Sequence, residues 1–172
     1  MNVEEQGRMV LQPIRKATTE DLTLLAELIR QSFHDVAERF VLTSENCPTH
    51  PSNCTVDWVT AAMNKGVLFY VLENCGTPCG CVALEQPKPG VCYLERLAVL
   101  PEFRGRGFGK ALVLHVLEEA KALGIDRVEI GIIPEHTELK DWYVRLHFVI
   151  EREAVTFEHL PFKVTLMSLL PE

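Results

Sequence analysis

The chain has 172 residues, 47% of them hydrophobic and 24% charged, a balance that suits one globular domain able to bury about 70% of its unfolded surface. Its formal net charge of -7 disfavours non-specific binding to nucleic acid or anionic membranes, either of which needs a broad basic surface. No apolar run is long enough to span a bilayer, and the start "MNVEEQGRMV" is acidic where a signal peptide is basic and then apolar. A cytoplasmic location with reduced cysteines is therefore expected.

Residues 1–9 read as a flexible N-terminus and the whole of 1–172 as a single domain. "LQPIRKAT" reads as a first strand, with Pro13 pointing to a sheet edge. Thr18 and Thr19 offer caps, Glu20 and Asp21 suit a helix start, and Leu22, Leu25, Leu28 and Ile29 form a helical stripe continuing to Phe33. Periodicity is lost between Phe40 and Ser52, and a short helix from about Thr55 to Asn64 is ended by Gly66. The runs "VLFYVLEN", "CGCVALEQ" and "VCYLERLAVL", separated by the turn signals "CGTP" and "PKPG", form an antiparallel meander. "KALVLHVLEEAKALG" is strongly periodic, with Leu112, Val116, Leu117 and Ala120 on one face and Gly124 as its stop. "RVEIGII" reads as a buried strand, "TELKDWYVRL" as a helix, and "FVIEREAVTF" and "FKVTLMSLL" as closing strands. The order β-α-α-β-β-β-α-β-α-β-β points to an α/β or α+β layered domain with both faces of its central sheet covered.

"VLPEFRGRGFGKAL" leads from a strand into the long helix with Gly105, Gly107 and Gly109 at alternate positions among Arg104, Arg106 and Lys110. Glycines admit a phosphate close to the backbone, outward N–H groups donate to it, and the helix dipole adds about half a positive charge. A P-loop is excluded because Arg104 stands where its first glycine belongs and Ala111 where Ser or Thr belongs. A dinucleotide fingerprint fails too, needing glycine at Lys110 or at Leu112.

The run Arg104-Gly105-Arg106-Gly107-Phe108-Gly109 resembles the [QR]-x-x-G-x-[GA] acetyl-CoA signature of the GCN5-related N-acetyltransferases, the GNAT superfamily. "DWYVRLHFV" resembles that family's second motif, and the element order resembles its mixed sheet flanked by helices. The resemblance implies that coenzyme A pyrophosphate lies on the backbone of Arg104, Gly105, Arg106, Gly107, Phe108, Gly109 and Lys110. Pantetheine would pair like a strand with Leu97, Ala98 and Val99, where the fourth and fifth strands splay. His136 stands where the family often has a cofactor-binding asparagine, and can still donate a hydrogen bond. His147 replaces the glycine of the family's "LGF" at a helix end where a positive φ is favoured.

Acetyl transfer to an amine requires a base for the amine proton, stabilisation of an oxyanion and a proton for the departing thiolate. Glu95 is the candidate base, expected to share a side of its strand with Tyr93, Leu97 and Val99, with apolar neighbours raising its pKa. The resemblance makes Tyr143 the general acid near the sulfur. A backbone N–H near Val99 would hold the oxyanion. An acetyl-cysteine route is disfavoured, since Cys92 points to the opposite side of the strand from Glu95 and Cys79, Cys81 and Cys92 read as packed thiols.

The acceptor, an amine of a small molecule or protein, would in this family be walled by Phe33, His34, Phe40, His50 and the 44–54 stretch on one side and by His159 and Phe162 on the other. The stretch "SENCPTHPSNCT" also holds Cys47, His50 and Cys54 at a zinc-like spacing, but a closed site needs four ligands, and a reducing compartment opposes a disulfide. Pro48 and Pro51 would stiffen it, and Ser52, Asn53 or Thr55 would cap the next helix. No metal is assigned. A non-catalytic acyl-CoA sensor and a metal-binding module are the alternatives, and a homodimer is left open.

Overall fold

The computed structural model describes residues 13–171; residues 1–9, read as a flexible start, lie outside them. The elements are β1 Ile14–Lys16, α1 Leu22–Arg39, α2 Val56–Asn64, β2 Leu68–Asn74, β3 Thr77–Lys88, β4 Val91–Val99, α3 Phe108–Ala122, β5 Arg127–Ile132, α4 Thr137–Arg145, β6 Val149–Val155 and β7 Val164–Leu169. Seven strands form one mixed sheet in the order β1-β2-β3-β4-β5-β7-β6. β4 and β5 are parallel; every other pair is antiparallel.

Start signals in the sequence are realised as side-chain caps. Thr18 caps a 3-10 turn at Thr19–Asp21 through a reciprocal capping box with Asp21, whose carboxylate also takes both Nη atoms of Arg15 at 2.8 Å. Thr55 is the cap that begins α2, accepting from the Trp58 N–H at 3.3 Å. Stop signals are less orthodox: α1 is followed by Val41 at φ 53° and α4 by His147 at φ 73°, left-handed seats that glycine usually fills. His147 thus holds the conformation expected of the glycine it replaces.

The sheet separates two apolar layers. On one face Leu25, Ala26, Leu28 and Ile29 of α1 and Val59 of α2 pack on Phe69, Val71, Cys81, Ala83 and Ala98. On the other, Leu112, Val113, Val116 and Ala120 of α3 and Tyr143 of α4 pack on Leu72, Val82, Leu84, Cys92, Leu94, Val128 and Ile130. Each large side chain so buried stabilises the fold by roughly 1.5–3 kcal/mol. Both faces are not covered throughout: β6, the last strand of the sheet, is exposed from Val149 to Ala154. β5 alternates rather than being buried along its length, with Val128, Ile130 and Ile132 inward and Gly131 exposed.

Candidate active site

β4 pairs with β5 only through Val91, Cys92 and Tyr93, opposite Arg127, Val128 and Glu129, so the two parallel strands separate beyond Tyr93. The gap opens into a cleft of about 400 Å³, lined by Leu97, Ala98 and Val99 of β4, by Phe103, Arg104, Gly105, Gly107, Phe108, Gly109 and Lys110 of the glycine loop, by Ser32, Phe33, Asp35 and Val36 of α1, and by His136, Leu139 and Trp142. At its mouth the N–H groups from Gly105 through Lys110 meet no backbone or side-chain acceptor among the described residues; the first helical bond is Ala111 N–H to Gly107 C=O at 3.0 Å. Gly107 sits at φ 83° with open space where a Cβ would be, which keeps this row of donors uncovered.

The basic side chains of the loop behave differently from its backbone. Arg104 is turned back onto α1: Nη1 lies 2.6 Å from Asp35 Oδ2, Nη2 donates to Ser32 C=O at 2.7 Å and Nε donates to Val99 C=O at 3.1 Å. That ion pair holds the Asp35 carboxyl below its ordinary pKa and ties α1 to the end of β4. Arg106 lies over the Phe103 ring at 5.5 Å and is not among the residues lining the cleft. Lys110 remains as the lining cation of the loop with no ion pair among the described residues.

Glu95 occupies a second cavity of about 270 Å³, with Trp58, Ala61, Ala62, Lys65, Val67, Glu85 and Arg96. Two steps along β3, from Cys81 to Ala83, match three along β4, from Ala98 to Glu95, and Arg96 takes a left-handed φ of 50° to absorb the extra residue. The bulge reverses the alternation. Leu97 and Val99 therefore pack toward the α3 layer with Cys92 and Leu94, while Glu95 faces α2; the expectation that Glu95 shares a side with Leu97 and Val99 is corrected. Burial first, and the neighbouring Glu85 carboxylate second, raise the Glu95 pKa to about 7. No cation lies within ion-pair distance of it among the described residues; Arg127 binds Glu129 at 2.8 Å.

Tyr143 is 5% exposed, its ring edge-on to Trp142 and Phe148, and burial raises its pKa. Trp142 is the aromatic of that motif that lines the cleft. His136 lines the cleft with its ring edge-on to Phe40, and burial lowers its pKa. Cys92 is fully buried under α3 with its pKa pushed up to about 11, chiefly by burial, which disfavours a thiolate nucleophile there.

The residues expected to wall the acceptor are not gathered in one cavity; Phe33 alone of them lines the cleft. His50 is buried against Phe33 with Nδ1 2.8 Å from Ser52 Oγ, and His34 is exposed beside Glu38. Phe40 and Phe162 belong to a small cluster with Ala37, Leu42 and Cys47, and His159 lies against Phe157. Cys47 and Cys54 are free thiols in different apolar clusters, and no group of three metal-ligating side chains occurs among the described residues. Sequence reading did not single out Ser32, Asp35, Val36, Leu139 and Trp142 in the cleft, or Trp58, Lys65 and Glu85 beside Glu95. The i, i+3, i+4 spacing of Ser32, Asp35 and Val36 on α1 was the one available signal.

The acetyltransferase (GNAT) family model matches residues 23–148. The chain belongs to the GNAT acetyltransferase family. Among GNAT relatives it is 24% identical over 153 residues to the uncharacterised N-acetyltransferase YjgM of Escherichia coli, covering 87% of this chain and 81% of YjgM. It is 37% identical over 82 residues to an amino-acid acetyltransferase of Ralstonia nicotianae, 47% of this chain but 17% of that protein. The chain thus spans under a fifth of that longer relative. Its fold matches the PaiA N-acetyltransferase of Thermoplasma acidophilum in complex with coenzyme A with a TM-score of 0.70 at 19% identity, covering 92% of this chain and 98% of that one. No helix among the described residues is long and apolar enough to cross a membrane.

Proposed function

We propose that the chain is an acetyl-CoA-dependent N-acetyltransferase that acts on a primary amine by direct attack in a ternary complex. The observation that carries this reading is the row of unpaired N–H groups from Gly105 to Lys110 at the mouth of a cleft that continues along the unpaired edge of β4. Those amides suit a pyrophosphate, and the β4 edge at Leu97, Ala98 and Val99, which β5 leaves unpaired and where the Val99 C=O accepts from Arg104, suits an extended amide chain such as pantetheine. Relatives in the family and the coenzyme A complex of PaiA support the same cofactor.

In this reading Glu95 takes a proton from the acceptor ammonium. The freed amine attacks the thioester carbonyl, a C–N bond forms, the C–S bond breaks, and the thiolate is protonated as it leaves. A backbone N–H near Val99 holds the oxyanion. A base pKa near 7 suits work at neutral pH, which the half-buried Glu85–Glu95 pair supports. Tyr143 remains the proposed proton donor by motif, while its enclosure in the core makes Trp142 and His136 the groups nearer the open cleft.

The test is release of coenzyme A thiol from acetyl-CoA across a panel of primary amines. Amine-dependent release supports the reading; tight acetyl-CoA binding with no release across the panel supports the sensor instead.

A further inference from the structure

Resting on the acetyltransferase reading, we infer that the cavity between α2 and the β4 bulge is the acceptor subsite, and that it takes a small zwitterion of the α-amino acid class, with its ammonium at Glu85 and Glu95 and its carboxylate at Arg96 and Lys65.

The cavity combines both signs of charge. A linear polyamine would bring its several cations against Lys65 and Arg96, and a simple fatty amine would leave them without a partner. A zwitterion answers both pairs at once. Glu95 keeps its proton to about pH 7, so at neutral pH the lining carries two cations against fewer than two full negative charges, and an anionic group on the ligand makes up the difference. The Trp58 indole closes the wall with an apolar face that tolerates a side chain.

Arg96 supplies an independent observation. Its guanidinium lies beside the buried Cys54 thiol, its Nη1 is enclosed with no hydrogen-bond partner, and no carboxylate lies within ion-pair distance of it among the described residues. A half-buried guanidinium in that state costs free energy unless an anion meets it. Its backbone is itself held in the left-handed region, a strain that persists where the surroundings fix the residue. A volume near 270 Å³ is enough for a small molecule.

The position relative to the cleft also fits. Arg96 lines this cavity and its neighbour Leu97 lines the cofactor-sized cleft, so consecutive residues of β4 belong to the two sites. Glu95 and Ala98 are separated by at most about 10 Å of extended strand.

Initial rates of thiol release from acetyl-CoA would be compared for the protein α-amino acids, their decarboxylated amines and linear polyamines. Calorimetric titration of the preferred amino acid into the coenzyme A complex runs alongside. The proposal expects at least one amino acid to exceed its decarboxylated amine tenfold or more in kcat/KM. Arg96→Met should erase most of that preference through KM, and Arg96→Lys should restore part of it. Preference of the unaltered protein for decarboxylated amines or polyamines, or no amino-acid binding by calorimetry, overturns it without any variant having to fold. Amino-acid binding without thiol release for any acceptor would retain the subsite and remove the acetyltransferase reading.

Discussion

Glu95 and Leu97, two residues apart on one strand, face opposite sides of the sheet, because Arg96 between them takes φ 50° and adds one residue to β4. A flat strand would have put Leu97 toward α2 with Glu95; the bulge turns Leu97 and Val99 back under α3 with Cys92 and Leu94. Glu95→Gln should lower turnover at neutral pH by about 10²- to 10⁴-fold, the range for loss of a general base, with the acetyl-CoA dissociation constant nearly unchanged. Steady-state rates and calorimetry check the two halves separately; full activity would exclude Glu95 as base.

Glu85 tests the cause of the Glu95 shift. Its negative charge is the second largest contribution after burial, and both push upward. Glu85→Gln removes a like charge, so Glu95 ionises at lower pH. The acid limb of the kcat/KM profile should move from near pH 7 toward the ordinary carboxylate range. An unmoved limb would mean that burial alone sets it, or that another group titrates there.

The same shift predicts a stability effect. The folded-state pKa of about 7 lies above the ordinary 4.5, so the folded state holds this proton more tightly than the unfolded one. That contribution is fully present below pH 4.5 and is lost as pH rises through 7. Glu95→Gln cannot ionise, so its urea midpoint should gain on the parent between pH 5 and pH 8. The opposite trend would contradict a raised pKa.

Gly80 is required for space. A Cβ there would lie 2.7 Å from the Ala98 carbonyl and 3.2 Å from Leu112 Cδ1, at the point where β3 supports the cleft-lining end of β4. Gly80→Ala should cost about 1–3 kcal/mol by overpacking and weaken acetyl-CoA binding as β4 shifts. Thermal unfolding with and without coenzyme A measures both.

Val41 offers the reverse test. It is 71% exposed and β-branched at φ 53°, a left-handed seat after α1 that costs an L-residue about 1–2 kcal/mol. Val41→Gly should raise stability by up to about 1 kcal/mol, reduced by the greater freedom of glycine in the unfolded chain, and leave activity unchanged.

Legibility followed the physics of each feature. The glycine loop could be read because a close phosphate approach selects glycine, and the element order because apolar period and turn residues agree along the chain. The bulge could not: an arginine occupies its left-handed residue, so "YLERLAV" reads as unbroken alternation. The cavity around Glu95 was hidden because Trp58 and Lys65 arrive through packing of α2 on the sheet, which no local pattern encodes. The 44–54 stretch carried ligand-like residues, yet Cys47, His50 and Cys54 are buried, the two cysteines in different apolar clusters, while most of its other residues are exposed.

The central claim is transfer of an acetyl group to an amine held in a complex with acetyl-CoA. Its most direct measurement is mass spectrometry of the reaction with isotopically labelled acetyl-CoA, following acceptor, coenzyme A and protein together. The account predicts the label on the acceptor nitrogen, one coenzyme A thiol released per acetylated amine and no acetylated cysteine during turnover. Label accumulating on the protein, or acetyl-CoA bound and left intact with every amine, would contradict it.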